Sequence, residues 1–113
     1  MVIKFDEAGW TPEEHFKGGE GTIFMKVTND GLNKILLIKI PSGCSIGLHK
    51  HEGNSEIIYI LEGEGKTWQD GVLVPVSAGM AAYCPEGETH QMINDSDRDL
   101  VFFAVIPTQE RKN

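Results

Sequence analysis

Residues 43–63, GCSIGLHKHEGNSEIIYILEG, contain the features that decide both the fold and the site. A glycine stands at each end, and short apolar or alternating runs lie between turn formers, which is typical of β-strands. His49 and His51 are two positions apart, so in a strand both imidazoles point to one side. With Cα atoms roughly 6.5–7 Å apart, two such rings can converge on a single metal ion.

Glu56 opens the following predicted strand, and the next members of its face, Ile58 and Ile60, are apolar. A carboxylate on such a face is costly to bury unless it meets a cation. His90 begins a later predicted strand, just past a Pro-Glu-Gly turn, where it can supply a further imidazole. The candidate metal ligands are therefore His49, His51, Glu56 and His90.

The chain from Gly21 onward repeats short apolar runs between turn signals, which predicts an all-β fold. Asp70-Gly71 favours a two-residue hairpin turn. Residues 10–17 predict one helical turn, with Thr11 as N-cap and Pro12 at the first helical position. The predicted strands are Thr22–Thr28, Lys34–Ile40, Ser45–His49, Glu56–Leu61, Lys66–Gln69, Val72–Val76, Met80–Cys84, His90–Ile93 and Leu100–Ile106.

The bulk composition narrows the classes of protein to which the chain can belong. Its 113 residues fit one domain, and 40% hydrophobic with 24% charged residues is an ordinary globular composition. The formal charge of −7 disfavours nucleic acid as a partner, because an acidic surface repels phosphates. No basic amphipathic stretch favours a membrane surface, and apolar runs such as Leu100–Ile106 are too short to span a bilayer. The N-terminal MVIKFDEAGW lacks a leader pattern, so we expect a cytoplasmic protein.

Two segments together resemble the cupin family. The first cupin motif is filled by Gly43-x5-His49-x-His51-x4-Glu56-x6-Gly63. The second motif is filled by Gly79-x5-Pro85-x-Gly87-x2-His90-x3-Asn94. The 15-residue spacer between the motifs is typical of small bacterial members, and the resemblance covers close to half of the chain.

The resemblance implies a double-stranded β-helix, a jelly-roll barrel, with a short N-terminal extension. It implies that the four candidates are the metal ligands, and that the chain forms a homodimer with an exchanged or shared sheet edge. We expect residues 1–20 to form an extension that packs on the barrel or swaps to a partner, residues 21–108 to form the barrel, and residues 109–113 to be a polar tail.

The chemistry of the predicted centre suggests a function without choosing a reaction. Three neutral imidazoles and one carboxylate around a divalent ion (Fe, Mn, Ni or Zn) leave a net charge of +1, and a six-coordinate ion would keep two open positions. We interpret the chain as a metal-dependent enzyme acting on a small oxygen-rich metabolite, with dioxygenase, decarboxylase, isomerase and lyase unresolved and no catalytic residue assigned. The alternatives are a non-catalytic barrel that binds a sugar or metabolite and, less favoured, a purely structural metal site.

The sequence also restricts the residues that could serve the site. The two arginines, Arg98 and Arg111, are expected in a turn and in the tail, which disfavours a decarboxylation of the oxalate decarboxylase kind that relies on a pocket arginine. His15 is expected to be exposed and no ligand. The remaining notable side chains are expected to have structural roles: Cys44 and Cys84 as small buried thiols, Tyr59 and Tyr83 in barrel packing, Met25, Met80 and Met92 in the core or pocket, and Asn94 in a turn.

Overall fold

The computed structural model describes residues 1–109, so residues 110–113 of the predicted polar tail lie outside the described residues. The strands are β1 (Thr11–Glu14), β2 (Thr22–Asn29), β3 (Asn33–Ile40), β4 (Ser45–Lys50), β5 (Glu56–Glu62), β6 (Glu64–Gln69), β7 (Val72–Ser77), β8 (Ala81–Cys84), β9 (Thr89–Ile93) and β10 (Leu100–Pro107). Two one-turn 3-10 helices span Phe5–Glu7 and Phe16–Gly18. Among residues 1–109, no helix is long and apolar enough to cross a membrane.

The strands form two antiparallel sheets that face one another. The larger sheet has the order β1-β2-β3-β10-β5-β8, and the smaller has the order β4-β9-β6-β7. Consecutive strands repeatedly lie in opposite sheets, as β3 and β4 or β4 and β5 do, which is the jelly-roll arrangement. The predicted all-β class is confirmed, and each of the nine predicted strands is present with ends that move by at most two residues.

The core lies between the two sheets and is built from every second residue of the strands, because successive side chains point to opposite faces. In β5, Ile58 and Ile60 are at most 2% exposed, whereas Ile57, Tyr59 and Leu61 between and beside them are about half exposed. Side chains from both sheets complete the core, including Ile23, Ile38, Ile40, Ile46, Met92, Leu100 and Phe102. Glu56 has the parity of the buried isoleucines, as its sequence position predicted.

The turn at Asp70-Gly71 forms as predicted. Asp70 has φ 50° and Gly71 has φ 79°, the pair of positive values that a type I′ turn requires, and Gln69 pairs with Val72 across the hairpin. Asn94 also has the predicted structural role. Its buried side chain donates to the carbonyls of Ile40 (2.8 Å) and Arg98 (2.6 Å).

The helical turn predicted over residues 10–17 is wrong. Thr11–Glu14 is the edge strand β1, which pairs antiparallel with β2, and only the following Phe16–Gly18 makes a 3-10 turn. Pro12 fits an edge strand as well as it fits the start of a helix, because in both places its missing N–H costs no hydrogen bond. Pairing with β2 therefore distinguishes the strand from the helical turn at this segment.

Three side chains expected inside the barrel lie on its surface instead. Tyr59, Tyr83 and Met80 are 47%, 51% and 48% exposed. Tyr59 has the outward parity of β5. Tyr83 on β8 is the cross-strand partner of Ile57, another outward-facing residue of β5. Strand alternation, and not the size of the apolar ring, therefore determines on which side of the sheet a tyrosine lies. By contrast, Met25, Met92 and Cys84 are buried as expected, and Cys44 is partly buried against the core.

Candidate metal centre

The four candidate residues come from both sheets and meet between them. His49 on β4 is the direct cross-strand partner of His90 on β9 in the smaller sheet. His51 follows immediately after β4, and its backbone N–H donates to the carbonyl of Glu88 at 3.0 Å. Glu56 is the first residue of β5 in the larger sheet. The centre therefore lies where the two sheets approach each other.

A β-bulge in β4 aims His49 into this space. Ile46 pairs with Met92 and His49 with His90, so three steps along β4 match two steps along β9. Because a regular strand alternates, Ile46 and His49 could not both face inward without the extra residue. The bulge lets Ile46 join the core and turns His49 toward the other ligand candidates.

The ligand atoms of the four residues are in contact. His90 Nε2 lies 2.9 Å from His51 Nε2, 3.1 Å from His49 Nε2 and 3.0 Å from Glu56 Oε1. His51 Nε2 lies 3.2 Å from the same carboxylate oxygen. All four ligand atoms lie within 4.8 Å of one another, so the group could hold a metal ion.

These separations fit a first-row divalent ion. Two ligand atoms at about 2.1 Å from an ion and at right angles are about 3.0 Å apart, whereas tetrahedral angles would separate them by about 3.4 Å. The observed contacts of 2.9, 3.0, 3.1 and 3.2 Å match the right-angled arrangement. Four ligands on an octahedral frame leave two positions for other molecules.

Hydrogen bonds on the far side of two rings set their tautomers. His49 Nδ1 donates to the carbonyl of Gly47 at 2.7 Å, and His51 Nδ1 donates to Asn54 Oδ1 at 2.7 Å. Because both acceptors are carbonyl oxygens, the protons reside on Nδ1 and the Nε2 lone pairs point into the centre. Sequence reasoning missed this role of Asn54, although its place in the loop after the second histidine was visible.

The carboxylate of Glu56 is held in its charged form. Glu56 is 5% exposed, and burial by itself would raise its pKa. When the Nε2 atoms of His51 and His90 carry protons, their hydrogen bonds and positive charge outweigh burial and lower the pKa of Glu56 to about 2. Glu56 is therefore a buried carboxylate whose charged form depends on positive charge beside it.

The two flanking histidines respond differently to the same environment. Burial lowers the pKa of His49, which favours the neutral, metal-binding form. Burial also opposes protonation of His51, but its hydrogen bonds to Glu56 and Asn54 outweigh burial and raise its pKa. The centre thus attracts one positive charge next to Glu56, which either a proton or a metal ion can supply.

Two other candidates stay outside the centre. Burial, followed by the charges of Glu56 and Glu88, raises the pKa of the Cys84 thiol to about 11, so it remains protonated and inert. His15 is exposed, and its Nδ1 contacts the carbonyl oxygen of Gly19 at 3.0 Å within a tight turn.

A cavity of about 730 Å³ opens beside the cluster, and His49, His51 and Glu56 form part of its wall. Apolar side chains form a second part of the wall: Phe16, Met25, Val27, Leu36, Ile38, Ile46 and Ile106. Charged side chains of both signs also line it: Glu13, Lys17, Lys34, Lys50 and Glu52. The volume suits a small molecule that could reach the open side of a bound ion.

Comparisons with known proteins agree with the fold and the motifs. A family model described as Cupin domain matches residues 36–106. The Oxalate-binding protein of Thermotoga maritima is 41% identical over 114 residues, which cover 94% of this chain and 93% of the relative.

Solved structures give the same result at the level of the fold. The crystal structure of a predicted oxalate decarboxylase from Thermotoga maritima superposes with a TM-score of 0.90 at 36% identity, covering 96% of this chain and 99% of that one. The structure of KdgF from a Halomonas species superposes with a TM-score of 0.79, covering 97% and 96% of the two chains. At 20% identity, the second likeness concerns the fold alone.

Proposed function

The chain belongs to the cupin family, and on that premise we propose that it binds one divalent metal ion and acts on a small oxygen-rich carboxylate in the adjoining cavity. The proposed ligands are His49, His51, Glu56 and His90. The observation that carries the proposal is the convergence of three Nε2 atoms and one buried carboxylate oxygen at 2.9–3.2 Å. Lone pairs and an anion at these distances repel one another unless a proton or a metal ion lies among them.

The charge and shape of the centre support a carboxylate as the substrate class. Three neutral imidazoles, one carboxylate and a divalent ion sum to +1, which favours an anion. If a bound ion kept two adjacent open positions, they would favour an anion that offers two oxygens, such as a carboxylate with a neighbouring carboxylate, hydroxyl or keto oxygen. The relative at 41% identity is named an oxalate-binding protein, and oxalate belongs to this class of ligand.

The chain's own residues prepare the site for such a ligand. Gly47 and Asn54 hold the rings of His49 and His51 in the tautomer that leaves Nε2 free. The apolar wall of the cavity excludes water from the ligand's carbon atoms. When bound, a divalent ion supplies Lewis-acid polarisation, or one-electron chemistry if it is redox-active.

The reaction itself is not chosen by the fold, and dioxygenation, decarboxylation, isomerisation and lyase chemistry all remain within the proposal. Among residues 1–109, no arginine lines the cavity, and the carbonyl of Arg98 is held by Asn94 in the turn after β9. A decarboxylation that depends on a pocket arginine is therefore disfavoured.

A second candidate is a barrel that binds a small acid or sugar without converting it. The state of Glu52 favours this reading, because it is 75% exposed and paired with Lys50 at 3.4 Å rather than directed at the centre as an acid or base. The two candidates share the metal and the cavity, and they differ only in turnover.

The test is calorimetric titration of oxalate into protein loaded with Mn²⁺ and freed of excess metal. We expect oxalate to bind the loaded protein and to give no binding heat with protein stripped by a chelator. Acetate, which offers one carboxylate and no neighbouring oxygen, should bind at least about tenfold more weakly. Equal affinity for acetate, or no oxalate binding to loaded protein, would refute the substrate class. Nuclear magnetic resonance of the incubated acid separates an enzyme, which consumes it, from a binding barrel.

The remaining expectations stay part of the proposal. Residues 1–20 are proposed as an extension of a barrel formed by residues 21–108, and the location is proposed to be cytoplasmic. A homodimer is supported by the exposed apolar side chains on the outer face of the larger sheet, Ile57, Tyr59 and Leu61. Light scattering on the purified chain tests it, and a monomer mass would rule the dimer out.

A further inference from the structure

A tight turn formed by residues 15–19 lies on β4 beside the metal centre. The carbonyl of Lys17 comes so close to Gly47 that a Cβ on that glycine would overlap it. Just beyond the turn, Glu20 N donates to Ser45 Oγ and Ser45 N donates to Glu20 O, both at 2.9 Å. The backbone at Lys17 is therefore fixed relative to the strand that carries His49.

Lys17 occupies an unfavourable backbone conformation in this turn. Its φ of 55° and ψ of 28° fall in the left-handed region, where a residue with a Cβ is strained and glycine is not. The next two positions, Gly18 and Gly19, are glycines, but position 17 carries a long cationic side chain. Strain of this kind is concentrated at functional sites, where the side chain has a task that offsets its cost.

Lys17 is one of the residues at the wall of the cavity. Lys17 lines the cavity together with Phe16, and its Nζ lies 5.6 Å from the centroid of the Phe16 ring. Because Phe16 also lines the cavity, the ammonium lies beside a residue of the cavity wall.

The other two lysines of the cavity wall are less suited to meet an anion. Lys50 Nζ lies 3.4 Å from Glu52 Oε1, so its charge is already matched. Lys34 stands on β3 and also borders a smaller hollow beside Thr108. Among residues 1–109 no arginine lines the cavity, which leaves Lys17 as the best-placed cation for a ligand in front of the histidines.

We propose that Lys17 is the specificity-determining residue of the cavity, where its ammonium binds a second anionic group of the ligand and selects dicarboxylates over monocarboxylates. This inference rests on the proposed function, since it assumes a carboxylate ligand beside the metal ion. A lysine ammonium is a compact charge with three donors, which suits an outward-facing carboxylate oxygen.

The experiment compares oxalate with glycolate on the Mn²⁺-loaded protein. Both acids can offer two oxygens to one ion, but oxalate carries two negative charges and glycolate one. In Lys17→Met we expect the affinity for oxalate to fall about tenfold or more, because a charge-assisted hydrogen bond is lost, and the affinity for glycolate to change by less than about threefold. Lys17→Arg should restore most of the preference for oxalate. Lys34→Met is the matched control, since it removes the same charge from the same cavity and should leave the preference unchanged.

Metal content and thermal unfolding of each variant are measured alongside, and we expect both to match the wild type because Lys17 is exposed. Unchanged oxalate affinity in Lys17→Met, an equal loss for both acids, or an equal effect of Lys34→Met would overturn the assignment of Lys17 and leave the proposed function standing. A loaded wild-type protein that binds neither acid would overturn the proposed function and this inference together.

Discussion

Glu56 is the residue on which the chemistry of the centre depends most. Its side chain is buried among apolar neighbours, and its charge persists only because His51 and His90 contact it. The cost of burying a carboxylate is what made Glu56 predictable from sequence, since its strand parity placed it on the face of Ile58 and Ile60. His49 and His51 were predictable from strand parity as well, because side chains two positions apart in a strand point to the same side of the sheet.

Asn54 and Lys17 were not predictable in the same way. The role of Asn54 depends on a loop conformation that brings Oδ1 to 2.7 Å from His51 Nδ1, and no periodic pattern encodes such a loop. The place of Lys17 depends on a long-range contact between an N-terminal turn and β4. In the sequence both residues look like ordinary polar side chains. The contact of Asn54 depends on the conformation of its loop, and the contact of Lys17 is with a strand that is distant in sequence.

Asn54→Ala tests the hydrogen bond that orients His51. Without the acceptor, the His51 ring loses both its preferred tautomer and its orientation, so we expect metal affinity to fall about 10- to 100-fold. Competition against a fluorescent Zn²⁺ chelator measures this change. Asn29→Ala is a suitable control, because Asn29 also lines the cavity and its Oδ1 accepts from Gly31 N in an exposed turn. An Asn54→Ala protein with wild-type affinity would show that the hydrogen bond does not position the ring.

At the scale of elements, β4 shows both the strength and the limit of sequence patterns. Its existence and ends were predicted to within one residue. Its bulge was not, although Ile46 and His49 have opposite parity and both face inward. The bulge depends on Gly47, whose missing side chain admits the Lys17 carbonyl, and on cross-strand pairing with β9. Likewise, β1 was mistaken for a helical turn because local signals at Thr11 and Pro12 could not report the pairing with β2.

Gly47→Ala tests this arrangement of elements. An added Cβ would overlap the Lys17 carbonyl, so either the turn or the bulge must shift. We expect the free energy of unfolding to fall by about 1–3 kcal/mol and metal affinity to fall with it, since His49 lies two residues away. Gly9→Ala is the matched control, because a Cβ there meets nothing within 4 Å, and it should change stability by less than about 0.5 kcal/mol. Urea denaturation measures both variants. If Gly47→Ala were as stable as Gly9→Ala, the turn would not pack on β4 as described.

At the scale of the whole molecule, the candidate centre joins the two sheets. Three of its residues belong to or follow strands of the smaller sheet, and Glu56 belongs to the larger. A metal ion bound there would cross-link the sheets, so its binding free energy would add to the stability of the fold. The jelly-roll class could be predicted from the spacing of the strands and the two motifs, and a barrel of this size predicts a pocket for a small ligand. The side chains that line the cavity could not be predicted, because they come from positions between 11 and 106.

Three imidazoles and one carboxylate are proposed to hold one ion, and the decisive measurement is elemental analysis of the dialysed, Mn²⁺-loaded chain. We expect close to one metal ion per chain in the wild type, the same in His15→Ala, whose histidine is exposed and outside the cluster, and almost none in His51→Ala. A His51→Ala protein that keeps a full equivalent of metal, or a wild type that retains none, would show that this cluster does not hold the ion.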